Sequence, residues 1–510
     1  MLYGLAVNRG LILLCIFAAG LVFRTSPAQP SQELLHRPWF SARTAHFEVY
    51  SCATTQQVAR VLEKLEQFRS AYLLLAGAQA VASPPIVVVA FAEHKDLKPF
   101  LPLYDGKPAN MSAFFTRGSD ENLIALSVAE SEPRALDSVF HEYTHLLLRH
   151  NDSFWPLWLK EGMAEIYSTM EVAGPQVVRL GAPIEHHVRL LGRKSLMPLK
   201  ELFAISRESA DYNEGERQGI FYSESWLLCH YLMIGDNGAR KTRFGQLTTL
   251  LRQGQSPEQA FTNAMRMTLA ATEADLKKYL ERGKFESLTI PVRAELTARP
   301  PMAIRPVAPA EVCFRLGDLL LRLHRLDAAE AYFQQSQTLA PLNPLAPEGM
   351  GLIAAYREKD EEALRYLQVA LQRGSRSFLT HYIYAREKYR ITAHHSEQYS
   401  KIDMESAAEI RSELQKALTL MPDFAPAHHL LGFFEMVQGD DLPGAEKHLQ
   451  RAIQLEPENP AYQFALAQVQ LKKQDVDGAK RTLQGLRTRY VDEQVRSHAE
   501  ELLREIGRNK

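Results

Sequence analysis

One period limits the fold of this chain more than any other feature. Leu316-Gly317, Ala329, Phe333 and Pro341 are followed 34 residues later by Met350-Gly351, Ala363 and Leu367. Ala445, Leu449 and Pro457 are followed at the same interval by Ala479 and Leu483. Helical patterns around Phe378–Arg390 and Glu405–Leu420 fill the gap, separated by a polar insertion from Ile391 to Lys401. Each unit reads as a helical hairpin whose small residues let the helices cross closely. Such a hairpin cannot bury its apolar face alone, so the units must stack. Residues 310–510 are therefore expected to form an all-α array built by nearest-neighbour packing.

The pattern resembles the tetratricopeptide repeat. That resemblance implies a solenoid that binds a peptide or protein partner on a concave face.

A second stretch carries chemistry rather than periodicity: FHEYTHLLLRHNDSFWPLWLKEGMAEIY, from Phe140 to Tyr167. His141 and His145 lie four apart, hence on one helix face. Together they can hold a metal ion, and Glu142 can act on the attacking water as general base. A tetrahedral catalytic zinc takes three protein ligands and keeps one open position. Glu161, on a second helix beginning near Trp158, is the candidate third ligand. Glu165 lies one turn further, placed to accept a hydrogen bond from a ligand imidazole. The five-residue pattern alone also suits a helix with two histidines beside an acidic turn. The apolar continuation Leu146-Leu147-Leu148, the polar break from Arg149 to Ser153 and the second helix favour the metal site. About one zinc per chain is expected.

PLWLKEGMAEIY resembles the second-helix motif of gluzincin zinc metallopeptidases, where the Glu before Gly is the third ligand. Together with FHEYTHLLL, it is similar to the peptidase-MA-like family of secreted bacterial proteins with C-terminal tetratricopeptide repeats. The resemblance spans residues 38–290. It implies an α+β zincin (gluzincin-like) catalytic domain ahead of the all-α tetratricopeptide-repeat solenoid. It also implies that an edge strand just before the metal helix, Ser112, Ala113, Phe114 and Phe115, binds substrate backbone. Tyr222 matches a helix-opening tyrosine that stabilises the oxyanion in related aminopeptidases, with Tyr212 as the competing candidate. Without the resemblance, Ser112–Phe115 is part of an ordinary hairpin with aromatic core residues, and Tyr222 is a core tyrosine. Glu121-Asn122 echoes two residues of an aminopeptidase amine-binding motif.

Elsewhere the pattern is simpler. HFEVYS (46–51) and PPIVVVAFA (84–92) read as strands, and Val58–Leu75 as a helix. MSAFFTRG and NLIALSV read as a hairpin around Gly118-Ser119-Asp120-Glu121. His150, His186, His187 and His230 read as surface or turn residues, and Cys229 as core. Pro291, Pro300, Pro301, Pro306 and Pro309 mark a stiff linker over 291–309, so the preceding domain is expected to fold without the repeats.

Residues 1–28 read as a signal peptide: Arg9, then the apolar LILLCIFAAGLVF, then Ser26-Pro27-Ala28. The apolar run is short for a membrane span. Export to the periplasm or beyond is expected, with the segment either removed or kept as an anchor. Cys52, Cys229 and Cys313 are too far apart for a disulfide framework or a zinc knuckle. A net charge of −1 gives no push toward nucleic acid.

The expected function is zinc-dependent hydrolysis of peptide bonds, with the repeats recruiting a protein substrate or partner. The alternative is an envelope scaffold acting through its repeats, with weak or restricted peptidase activity. An aminopeptidase would need an amine-anchoring acid that the sequence does not clearly supply.

Overall fold

The computed structural model describes residues 30–508 apart from 78–85, 105, 117, 119, 130–135, 149–154, 207–208, 210–211, 213–214, 298–299, 395–401, 458 and 489–492. The expected signal segment 1–28, Ser119, His150, the break at 149–153 and most of the 391–401 insertion lie outside the described residues.

The chain opens with α1 (Gln32–His36), β1 (Phe40–Arg43), β2 (Phe47–Ser51) and the long α2 (Thr55–Ala76). Thr54 and Gln57 form a reciprocal capping box at the start of α2, and Gly77, at φ 60°, ends it in the left-handed region. Then come β3 (Ile86–Phe91), α3 (His94–Leu97), the short ladder β4 (Leu103–Tyr104) and β5 (Lys107–Pro108), and the hairpin β6 (Ala113–Thr116) and β7 (Leu123–Ser127). The metal motif lies on α4 (Asp137–Leu148) and α5 (Leu157–Ser168). After β8 (Glu171–Gly174) and β9 (Val177–Leu180) the chain is helical: α6 (Glu185–Leu191), α7 (Leu199–Ala204), α8 (Gly215–Met233), α9 (Gly235–Gly238), α10 (Lys241–Arg252), α11 (Pro257–Met265) and α12 (Leu269–Arg282). Strands β10 (Leu288–Pro291) and β11 (Ala303–Pro306) follow.

Six strands form one sheet in the order β11-β1-β2-β3-β7-β6. The central β2, β3 and β7 are parallel, and β1, β6 and β11 pair antiparallel. Strand side chains alternate between faces, and here both faces are apolar. Phe47, Val49, Ile86, Val88, Phe115, Ile124 and Leu126 share a core with Leu62, Phe68, Tyr143 and Trp158 of α2, α4 and α5. Tyr50, Val87, Val89, Phe91, Phe114, Leu123 and Ala125 share a second core with Val312, Phe314, Leu316, Leu319 and Phe333, which belong to the repeats.

That second core corrects the expected domain boundary. Residues 291–309 are not a free tether. Pro291 pairs with Val177 in a small sheet, and Ala303–Pro306 pairs with β1 residue by residue. The prolines are tolerated because these are short edge strands. Each fully buried large side chain contributes roughly 1.5–3 kcal/mol. A sheet stripped of the repeats would expose Val87, Val89, Phe91 and Phe114 together.

The array itself has α13 (Pro309–Arg322) with α14 (Leu326–Leu339), α15 (Leu345–Tyr356) with α16 (Asp360–Gln372), and α17 (Phe378–His394) with α18 (Met404–Leu420). It continues through α19 (Ala425–Gln438), α20 (Leu442–Leu455), α21 (Pro460–Lys472), α22 (Val476–Thr488) and α23 (Glu493–Arg508). The period's small residues sit at crossings. A Cβ on Gly317 or Gly349 would lie 2.6 or 2.5 Å from the Phe333 ring, and one on Gly351 2.6 Å from Leu367. No described helix is long and apolar enough to cross a membrane.

Candidate metal centre

Helices α4 and α5 pack side by side, and His141, His145 and Glu161 converge between them. His145 Nε2 lies 3.2 Å from His141 Nε2 and 3.1 Å from Glu161 Oε2. His141 Nε2 to Glu161 Oε2 closes the triangle at 3.4 Å. Donors bound tetrahedrally to zinc at about 2.0–2.1 Å stand roughly 3.3 Å apart. The three edges therefore suit one shared cation. The donor chemistry agrees, since two imidazole nitrogens and a carboxylate all offer lone pairs to the same point. Among the described residues this is the one such cluster.

The charges of these groups act strongly on one another. Burial works against charge on His141, but Glu165, Glu161 and Glu142 outweigh it and raise its pKa to about 9. Burial would raise the Glu161 carboxyl, yet His145 and His141 hold it well below the usual range. The imidazoles and carboxylates here favour one another's charged forms.

Glu165 lies beneath this triangle. Its Oε1 is 3.5 Å from His141 Nδ1, and its Oε2 is 3.2 Å from His187 Nε2. His187 is 3% exposed, and its Nδ1 is 2.7 Å from Ser223 Oγ, which donates to Gly219 O. The surface reading of His187 is thus corrected. Helix α6 turns that residue inward onto α5 and α8, and a His-His doublet with one buried member carries no distinguishing sequence signal. His230 is also buried, against Tyr279 OH and Gly181 O, in the core rather than at the surface.

Gly162 explains why Glu161 can sit here. A Cβ at 162 would come within 2.3 Å of Ser225 O and 2.5 Å of Cys229 Sγ. Glycine lets α5 approach α8 closely, and α8 carries Tyr222. Tyr222 lies with its ring 6.1 Å from that of His141 and 6.0 Å from Tyr212, which stacks on it. Tyr212 donates from its hydroxyl to Glu161 Oε1 at 3.3 Å. Burial, then Glu161 and Tyr212, push the Tyr222 phenol far up, so it stays a proton donor. Both tyrosines are thus at the centre. Glu142 is half-buried on the same helix turn, within electrostatic reach of His141 and Tyr222.

Of the proposed substrate strand, Ala113, Phe114 and Phe115 lie in β6 and Ser112 just before it. The side chains of Ala113, Phe114 and Phe115 are core, divided between the two sheet faces. What β6 offers a ligand is its backbone, because it is the last strand of the sheet.

Comparison with known proteins speaks to the repeats. Residues 310–341 and 436–502 each match a tetratricopeptide-repeat family. No curated protein matches this chain. Among solved structures, the array is similar to YrrB, described as a TPR protein with an unusual peptide-binding site, at 18% identity and TM-score 0.31 over 38% of this chain and 92% of that one. A thermophilic TPR protein of Thermus thermophilus gives 23% identity and TM-score 0.30, over 38% and 98%. PilF of Pseudomonas aeruginosa gives 16% and 0.29, over 34% and 73%. The C-terminal part is a tetratricopeptide-repeat solenoid, a class of repeat that mediates protein–protein interaction.

Proposed function

We propose that this protein is a zinc-dependent metallopeptidase whose repeats bring a protein substrate or partner to the site. The observation that carries the hydrolytic part is the triangle of His141, His145 and Glu161, with edges of 3.1–3.4 Å. A zinc ion held there would polarise a carbonyl and supply a water of lowered pKa. Glu142, which is not part of the triangle, takes a proton from the attacking water and passes it to the leaving amine. Tyr222 donates to the carbonyl oxygen as negative charge develops on it. Glu165, backed by His187, keeps the His141 ring in orientation.

The repeat matches favour a second reading directly: a scaffold that acts through its array, with weak or restricted hydrolysis. One experiment separates the two. The exported chain is assayed for zinc and for cleavage of a peptide library, wild type beside Glu142→Gln. Zinc with cleavage abolished in the variant supports the enzyme. Stoichiometric zinc and no cleavage by the wild type leaves the scaffold.

A further inference from the structure

Strand β6 is pinned at both ends, by groups from distant parts of the chain. At its start Ser138, on the metal helix α4, donates from Oγ to Ala113 O at 3.3 Å. At its far end the chain turns through Gly118, Asp120 and Glu121 into β7, and the first repeat holds this turn. Arg322, at the end of α13, donates from Nη2 to Asp120 Oδ2 at 2.9 Å and from Nη1 to Glu121 O at 2.9 Å. Its Nε donates to Asp318 Oδ2 at 3.1 Å. Arg315, two turns earlier, lies 3.6 Å from Glu121 Oε1 and donates to Tyr50 OH at 3.1 Å. Space at Gly118 is tight, since a Cβ there would meet Arg322 Nη1, Asp120 Oδ1 and Glu121 O at 2.5 Å each.

A guanidinium gripped by several acceptors fixes orientation as well as position. The apolar sheet–repeat core would join the two parts without it. Buried charge pairs of this kind add little to net stability compared with apolar packing and are best attested as devices that set register. Here the register they set is that of the sheet's outermost strand, beside α4.

We propose that Arg322 is a positioning residue for β6, so that the first repeat fixes how that strand presents its edge to a substrate. The proposal rests on the peptidase reading. Anything that shifts the first repeat is then felt at the strand.

The test uses the full zinc-loaded chain with two substrates: a peptide long enough to lie along β6, and a minimal one covering only the scissile bond. Arg322→Ala would leave the half-buried Asp120 and the buried Asp318 without their partner and could prevent folding. Arg322→Lys keeps the charge and loses the fork, and Asp120→Asn weakens the same grip from the turn side. Both should keep zinc content and kcat, and raise KM for the long peptide by roughly 10–100-fold while sparing the minimal one. Equal losses on both substrates, or no change on either, overturns the positioning role while leaving the peptidase reading intact. A wild type that binds zinc and cleaves neither substrate overturns both.

Discussion

In the repeat array, His381 and Glu413 form a closed pair; between α4 and α5, His141, His145 and Glu161 form an open triangle. Both groups are largely buried. His381 Nδ1 meets Glu413 Oε2, and the other carboxylate oxygen accepts from Lys416 at 2.7 Å. Glu387, fully buried, is likewise answered by Arg386 and Arg390. Each of these carboxylate oxygens has a basic side chain against it. At the triangle atoms of three side chains converge within 3.1–3.4 Å of one another, a donor set that one metal ion could share. Burial of titratable groups does not mark a site, because structural ion pairs do it too. Convergence of three potential metal donors is what separates the two regions.

The largest effect should break the comparison outright. Glu142→Gln should retain zinc and lose roughly 10²–10⁴-fold in kcat, whereas Glu413→Gln in the array should leave turnover alone. Loss of zinc in Glu142→Gln would make that residue a ligand and redraw the centre.

Next is the shared core. Phe333 is completely buried where the repeat meets the sheet. Phe333→Ala should cost about 3–5 kcal/mol. Sheet and first repeat should unfold together, followed by calorimetry and by release of zinc. Two separate transitions, with zinc release unchanged, would restore the independent domain expected from the proline-rich segment.

Tyr222→Phe should keep zinc and lower kcat roughly 10²–10³-fold with KM little changed. Tyr212→Phe removes the hydroxyl on Glu161 and should act mainly on zinc affinity. If the two variants exchange phenotypes, Tyr212 is the oxyanion donor.

The two regions were also unequally legible in the sequence. The array could be read from small residues at fixed spacing, because each repeat contacts only its neighbours and local pattern carries the fold. The His141–His145–Glu161 cluster could be read for a similar reason: His141 and His145 are one helical turn apart, and Glu161 follows on the next helix. His187 and Arg322 were not legible. Each acts across a long interval, His187 on Glu165 and Arg322 on Asp120, and nothing local distinguishes them from surface side chains. The proline-rich stretch misled because proline signals stiffness, and an edge strand is as stiff as a linker. Strand β11 became visible only once β1 was there to pair with it.

The smallest effect sharpens the comparison most. His187 and His381 are both buried histidines on a glutamate, one behind the triangle and one inside the array. His187→Gln keeps a polar side chain but loses the ring that bridges Glu165 and Ser223. Supporting groups behind a ligand imidazole are typically worth 10–100-fold in metal affinity or activity, so zinc affinity should fall by roughly that factor. His381→Gln should lower stability and leave zinc affinity untouched, because Glu413 retains Lys416. Zinc titration against a competing chelator, with thermal melts of both variants, reads the two effects separately. If both variants lose stability equally and neither loses zinc affinity, His187 is packing like His381, and Glu165 orients His141 without it.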